Sequence, residues 1–245
     1  MTKQQKWYQS WFDTPYYHIL YQQRNYDEAQ RFIKNLVAYL KINENQNILD
    51  LACGKGRHSI FLNSLGYNVT GVDLSKQSIL EASKSTNARL KFMIHDMRYP
   101  LENKYDIILN LFTSFGYFDS TQDNFDVLKT IKNSLNKDGI GVIDFMNSEY
   151  VIQHLVPSNT IEIEGIQFDI KRTFKEGIIT KTIDIFDGDK VISYEERVQA
   201  FFYQDFIDMI SKANLSFVAC FGTYDLEPYN AQTSDRLILI FKHNA

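Results

Sequence analysis

Three short apolar runs, each breaking at an acid, constrain the fold most: Asn47–Asp50, Tyr67–Asp73 and Leu90–Asp96. A helical pattern over Arg57–Leu65 separates the first two, and one capped by Ser75 and running to about Ser85 separates the second and third. Strands alternating with helices at this spacing imply right-handed crossovers and a doubly wound parallel sheet. The first junction reads Asn47-Ile-Leu-Asp-Leu-Ala-Cys-Gly-Lys-Gly-Arg57. Gly54 and Gly56 remove the Cβ atoms that would hold a ligand off the backbone, and they permit positive φ in a tight strand-to-helix turn. The helix that follows aims free N–H groups at whatever binds there. This is the outline of a nucleotide-type pocket.

The remaining pattern completes one large α/β domain. A fourth strand is expected over Tyr105–Asn110. A helix then starts at Ser120 and Asp123, with Phe125, Leu128, Ile131 and Leu135 inward. The turn Asn136–Gly139 leads into a fifth strand over Ile140–Phe145. From Thr160 to Phe201 the period switches to two, as in Ile166-x-Phe168-x-Ile170. Hairpin signals at Glu176-Gly177 and Asp187-Gly188 separate three strands. A helix carrying Phe206, Met209, Ile210 and Ala213 resumes the main pattern, and strands near 216–221 and 236–241 close it. The expected fold class is α/β, with a doubly wound, mostly parallel seven-stranded sheet and an antiparallel β insertion after the fifth strand. Residues 1–146 and 202–245 form the main domain, within which 1–24 are read as an aromatic lid, and 147–201 form the insertion.

The acids at 50, 73 and 96 end their strands at one edge. An acid closing the second strand is placed to accept hydrogen bonds from both ribose hydroxyls of a nucleoside. The carboxylate of Asp96, beside Met97, suits an adenine amino group and ring. With these residues on the page, the chain resembles the class I S-adenosylmethionine-dependent methyltransferases. Leu49-Asp-Leu-Ala-Cys-Gly-Lys-Gly-Arg-His58, Val69-Thr-Gly-Val-Asp-Leu-Ser75 and His95-Asp-Met97 look like that family's cofactor motifs. Ala52 stands where the family's first glycine would be, a place alanine tolerates if φ stays negative, and Lys55 replaces a small hydroxyl residue. Ser59 stands where a dinucleotide-binding domain needs its third glycine, which counts against a nicotinamide cofactor.

The resemblance implies a Rossmann-like methyltransferase fold, S-adenosyl-L-methionine as donor and S-adenosyl-L-homocysteine as product. The candidate cofactor-binding residues are Tyr17, Asp50, Ala52, Cys53, Gly54, Gly56, Arg57, Asp73, Leu74, Asp96, Met97, Asn110 and Leu111. No catalytic residue is named, because an activated donor needs alignment and exclusion of water more than acid–base chemistry. A small-molecule acceptor leads. An RNA or protein methyltransferase, a non-catalytic binder of the donor or product, and aminopropyl transfer are the alternatives.

Composition narrows these. Net charge −4 offers no broad footprint for nucleic acid. Two cysteines form no disulfide framework and suit a reducing cytoplasm; no leader or membrane-length run stands out. The histidines at 18, 58, 95, 154 and 243 lack metal-ligand spacing, so no metal is expected. His58 reads as a helix-face residue and Cys53 as a small filler. Asn110-Leu-Phe-Thr113 lacks the Asn/Asp-Pro-Pro-aromatic motif of enzymes that methylate base amines. Aromatics crowd the start of the chain, from Trp7 to Tyr21. They cover either the core or a bound sulfonium, whose charge an aromatic face attracts; Tyr16, Tyr17 and Tyr21 are the lid candidates. Asn25 and Glu28 form a capping-box pair for the next helix. In the insertion, Tyr194 and Glu196 share one strand face with Arg197 opposite, a place to look for specificity.

Overall fold

The computed structural model describes residues 7–22 and 26–244; Asn25 of the expected capping box lies outside them. Two short helices, α1 (Trp7–Trp11) and α2 (Pro15–Leu20), precede α3 (Tyr26–Leu40). Then come β1 (Asn47–Leu51), α4 (Arg57–Ser64), β2 (Asn68–Asp73), α5 (Lys76–Ala82), β3 (Leu90–Ile94), β4 (Tyr105–Asn110), α6 (Thr121–Ser134) and β5 (Leu135–Met146). Ser75 and Ser120 cap α5 and α6, each accepting the N–H three residues on, from Ser78 and Asp123. Gly66 ends the α4 turn at φ 96°, where a side chain would be strained.

The chain continues through α7 (Ser148–Gln153), β6 (Ser158–Ile163), β7 (Ile166–Lys175), β8 (Ile178–Asp187), β9 (Lys190–Gln199), α8 (Tyr203–Lys212), β10 (Leu215–Phe221) and β11 (Arg236–His243). The seven-stranded sheet has the order β10-β11-β5-β4-β1-β2-β3. Strands β1 to β5 are parallel; β11 runs antiparallel to β5 and β10. Ile48 packs with Phe32, Leu36 and Leu62 on one face of the sheet. Leu49 and Leu51 pack with Leu128, Phe206 and Ile210 on the other. Burial on both faces explains why Ile48, Leu49 and Leu51 of β1 are apolar without alternation. Because β4 lies on one side of β1 and β2 on the other, the strand order reverses at β1 and leaves a crevice at the carboxyl edge.

Two boundaries differ from expectation. The fifth strand begins at Leu135, and the Asn136–Gly139 turn is taken up as an irregularity: Tyr105 pairs with Leu135, Ile107 with Ile140, and Asp138 sits at φ 62°. The insertion has four strands in the order β6-β7-β8-β9, not three. The missed hairpin turns at Glu164-Gly165, with φ of 54° and 77°, the same chemistry as Glu176-Gly177 at 52° and 77°. On its apolar face Phe168, Ile170, Ile183 and Ile185 form a core with Trp11.

Candidate active site

A cavity of about 780 Å³ fills the crevice at the reversal point. The loops after β1, β2, β3 and β4 supply its floor and sides, and α1, α2 and the residues around them supply a further wall. Of the sequence candidates, Tyr17, Ala52, Cys53, Gly54, Arg57, Asp73, Leu74, Asp96, Met97 and Leu111 line it. Asp50, Gly56 and Asn110 do not, and each is held elsewhere for a physical reason.

Asp50 is the penultimate residue of β1, fully buried, and accepts a 2.5 Å hydrogen bond from Ser59 Oγ on α4. Burial pushes its carboxyl up to about 6, against the Ser59 hydrogen bond. A Cβ on Gly56 would sit 2.7 Å from the Phe92 ring, so this glycine admits a neighbouring side chain and begins α4 at φ 79°. Asn110 is buried and donates through Nδ2 to the Leu51 carbonyl at 2.9 Å, tying β4 to β1.

The glycine loop itself turns on Ala52, which adopts φ 64° where a negative value was expected. Cys53 N–H donates to the Val72 carbonyl (2.9 Å) and Gly56 N–H to the Cys53 carbonyl (3.0 Å), so the chain must reverse at residue 52. Left-handed backbone costs a residue with a Cβ roughly 1–2 kcal/mol, which is why glycine is the usual occupant of such a place. Gly54, at φ 56°, is the glycine that serves the cavity: a Cβ there would meet nothing within 4 Å. Burial pushes the Cys53 thiol well above its ordinary value, which leaves it a filler rather than a nucleophile.

Asp73 closes β2. Gly54 N–H donates to its Oδ2 and Ser75 N–H to its Oδ1, both at 2.8 Å. Burial raises its carboxyl and those backbone N–H groups oppose the rise. Ser75 Oγ in turn donates to Asp13 from the N-terminal segment. Asp96 is clamped by Arg98, whose Nη2 and Nε lie 2.6 Å and 3.0 Å from its oxygens. Burial acts to raise this carboxyl, but the Arg98 hydrogen bonds and charge outweigh it and hold Asp96 below the usual carboxylate value.

The opposite wall is aromatic. Arg57 lies over the Phe112 ring at 4.2 Å, and the His58 ring approaches Phe112 at 5.1 Å. His58 is buried and lines the cavity, so it is more than the helix-face residue expected. Phe112 and Thr113 both have left-handed backbone, at φ 59° and 57°. Asp144, buried at the end of β5, holds them there: its Oδ2 accepts Phe112 N–H at 2.8 Å and its carbonyl accepts Thr113 N–H at 2.9 Å. Arg236 of β11 bonds the same carboxylate through Nη2 at 2.6 Å.

Of the N-terminal aromatics, Tyr8, Phe12, Tyr17 and Tyr21 line the cavity, while Tyr16 turns away and donates to Asp187 at 2.8 Å. Asp13, His18, Lys55, Tyr117 and Phe118 also line it and were not anticipated. Tyr117 and Phe118 follow a strand end, a position that aromatic type alone flags weakly. Asp13 meets Ser75 across 62 residues, which no local pattern encodes. Among the described residues no three His, Cys, Asp or Glu side chains are placed to hold a metal ion, and no helix is long and apolar enough to cross a membrane.

Residues 48–139 match a family described as a methyltransferase domain. The putative methyltransferase YqeM of Bacillus subtilis (strain 168) is 30% identical over 55% of this chain and 54% of its own length. Glycine/sarcosine N-methyltransferase of Aphanothece halophytica is 28% identical over 53% and 49%. The chain thus spans about half the length of these curated relatives. The crystal structure of an S-adenosylmethionine-dependent methyltransferase from Clostridium acetobutylicum ATCC 824 superposes with a TM-score of 0.79 at 20% identity, covering 94% of this chain and 96% of that one. At that identity the superposition speaks for the fold alone, and residues 48–139, which carry the glycine loop and the strand-end acids, match a methyltransferase domain.

Proposed function

We propose that this chain moves a methyl group from S-adenosylmethionine to a small-molecule acceptor held in the same cavity. The observation that carries the reading is the Gly54–Asp73–Ser75 arrangement. A carboxylate fixed by two backbone N–H groups borders open space that only a glycine leaves clear. The residues fit the donor: Asp73 retains lone pairs for a ribose diol, and Met97 offers an apolar surface to a base. Asp96 is already committed to Arg98, so a second hydrogen bond from an adenine amino group would fall on lone pairs the guanidinium leaves unused.

When bound, the donor supplies a methyl group already activated on a sulfonium. The protein's part is then to position and to keep water out. Tyr17 and Tyr21 from the N-terminal segment, with Tyr117 after β4, supply an aromatic wall that suits a cationic centre, whereas the Phe112 ring already carries Arg57. Walls of this kind around about 780 Å³ favour a small acceptor over a folded macromolecule. The glycine/sarcosine relative acts on a small amine, in keeping with that size class. We extend the reading to the chain's organisation, with residues 147–201 as an inserted subdomain, and to a cytoplasmic setting. Calorimetry with S-adenosylhomocysteine tests the cofactor half. A mass-spectrometric screen of small amines and hydroxyl compounds for a gain of one methylene tests transfer. Binding without transfer to any acceptor, in a protein saturated with donor, would favour a non-catalytic binder.

A further inference from the structure

The aromatic wall is anchored outside the parallel sheet. Trp11, fully buried, donates Nε1–H to Glu196 Oε1 on β9 at 2.7 Å. Tyr21 donates its hydroxyl to the same carboxylate, 2.7 Å from Oε1 and 2.9 Å from Oε2. Lys181, one strand over on β8, stands 3.7 Å from Glu196 Oε2 and donates to the Tyr21 hydroxyl. The Lys181 and Glu196 side chains are only 16% and 17% exposed, so the pair is largely withdrawn from water. Trp11 also packs edge-on to Tyr17 at 5.5 Å, and Tyr17 meets Tyr21 at 4.9 Å. Asp13, on the turn between α1 and α2, reaches Ser75, whose N–H holds Asp73. The segment therefore runs from a carboxylate on the insertion to the loop at the end of β2.

We propose that Glu196 is a positioning residue: it fixes Trp11 and Tyr21, and through them sets Tyr17 and Tyr21 as the cavity wall, so that the insertion shapes the donor and acceptor site without entering it. The assignment rests on the reading of the cavity as a donor site. A single carboxylate accepting two neutral donors beside an ammonium group is a charge-assisted cluster, stronger than neutral hydrogen bonds of the same geometry.

The test uses the full chain, whose two tryptophans, Trp7 and Trp11, both report on this segment. Without ligand, Glu196→Ala should shift tryptophan emission to the red and raise acrylamide quenching. Glu196→Gln, which keeps an acceptor oxygen, should restore most of the protection. Tyr21→Phe should raise quenching less, and its effect should vanish in the Glu196→Ala background. S-Adenosylhomocysteine affinity measured by calorimetry should fall about tenfold, or ~1.4 kcal/mol, in Glu196→Ala and recover in Glu196→Gln. Unchanged quenching in Glu196→Ala overturns the anchor. Raised quenching with unchanged affinity overturns its role in the cavity. If Glu196→Ala fails to fold, the Tyr21→Phe and Glu196→Gln comparison decides by the same two readouts. Failure of the wild-type chain to bind S-adenosylhomocysteine sinks the donor-site reading instead, and is distinguishable because the unliganded quenching does not depend on it.

Discussion

Gly54 donates its backbone N–H to Asp73 Oδ2 across 2.8 Å, locking the loop after β1 to the end of β2. One contact thus joins the backbone that leaves room for a ligand to the carboxylate that would hold it. Removing either half has a different consequence.

Asp73→Ala should lower S-adenosylhomocysteine affinity by roughly ten- to a hundredfold, the loss of a charge-assisted pair worth on the order of 1.5–3 kcal/mol. Calorimetry on the folded variant checks this. Unchanged affinity would remove the ribose assignment.

The two loop glycines should separate binding from folding. Gly54→Val projects branched carbons into open cavity and should abolish binding, with a backbone strain of about 1–2 kcal/mol from its positive φ. Gly56→Ala drives a methyl against the Phe92 ring and adds the same strain, so it should cost more stability, about 2–5 kcal/mol in all. Urea unfolding ranks the two for stability and calorimetry ranks them for binding. The opposite ranking would mean the roles are exchanged.

Asp50 should make stability pH-dependent in a defined direction. Its folded pKa of about 6 exceeds the ordinary 3.8, so the native state holds the proton more tightly. The stabilisation this brings is complete below the unfolded value and is lost as pH rises through about 6. Asp50→Asn cannot titrate. Wild-type stability measured against it should therefore improve by about 1.4 kcal/mol between pH 7.5 and pH 5. A flat difference would mean Asp50 stays ionised.

Arg236→Met should be severe. It leaves the buried Asp144 carboxylate without its 2.6 Å partner, and breaking a buried pair this way costs about 3–5 kcal/mol. Because Asp144 also accepts Phe112 N–H, the β4 loop should loosen, and donor affinity should fall together with stability. A loss under about 1 kcal/mol in urea unfolding would show that the pair contributes little.

Periodicity and punctuation in the sequence were enough to determine the parallel sheet, its crossovers and the glycine loop, because these follow from which residues recur every two or about 3.6 positions and from which can take positive φ. The same parity reasoning correctly put Tyr194 and Glu196 on one face: the Tyr194 ring packs, tilted, on Trp11 at 4.7 Å and Glu196 accepts from its indole, while Arg197 pairs with Glu195 at 3.7 Å. What the strand-end acids do was decided only in three dimensions. Asp50 and Asp73 look alike in sequence, yet β1 runs one residue past Asp50, which buries it under α4, whereas β2 stops at Asp73 and leaves it at the cavity. Asn110 was lost to the Leu51 carbonyl for a similar reason: its buried Nδ2 finds an acceptor on the neighbouring strand, 59 residues away. The N-terminal aromatics show the limit most clearly. Their number is visible in the chain, but their seat depends on Glu196, 185 residues from Trp11, and contacts that distant leave no trace in local pattern.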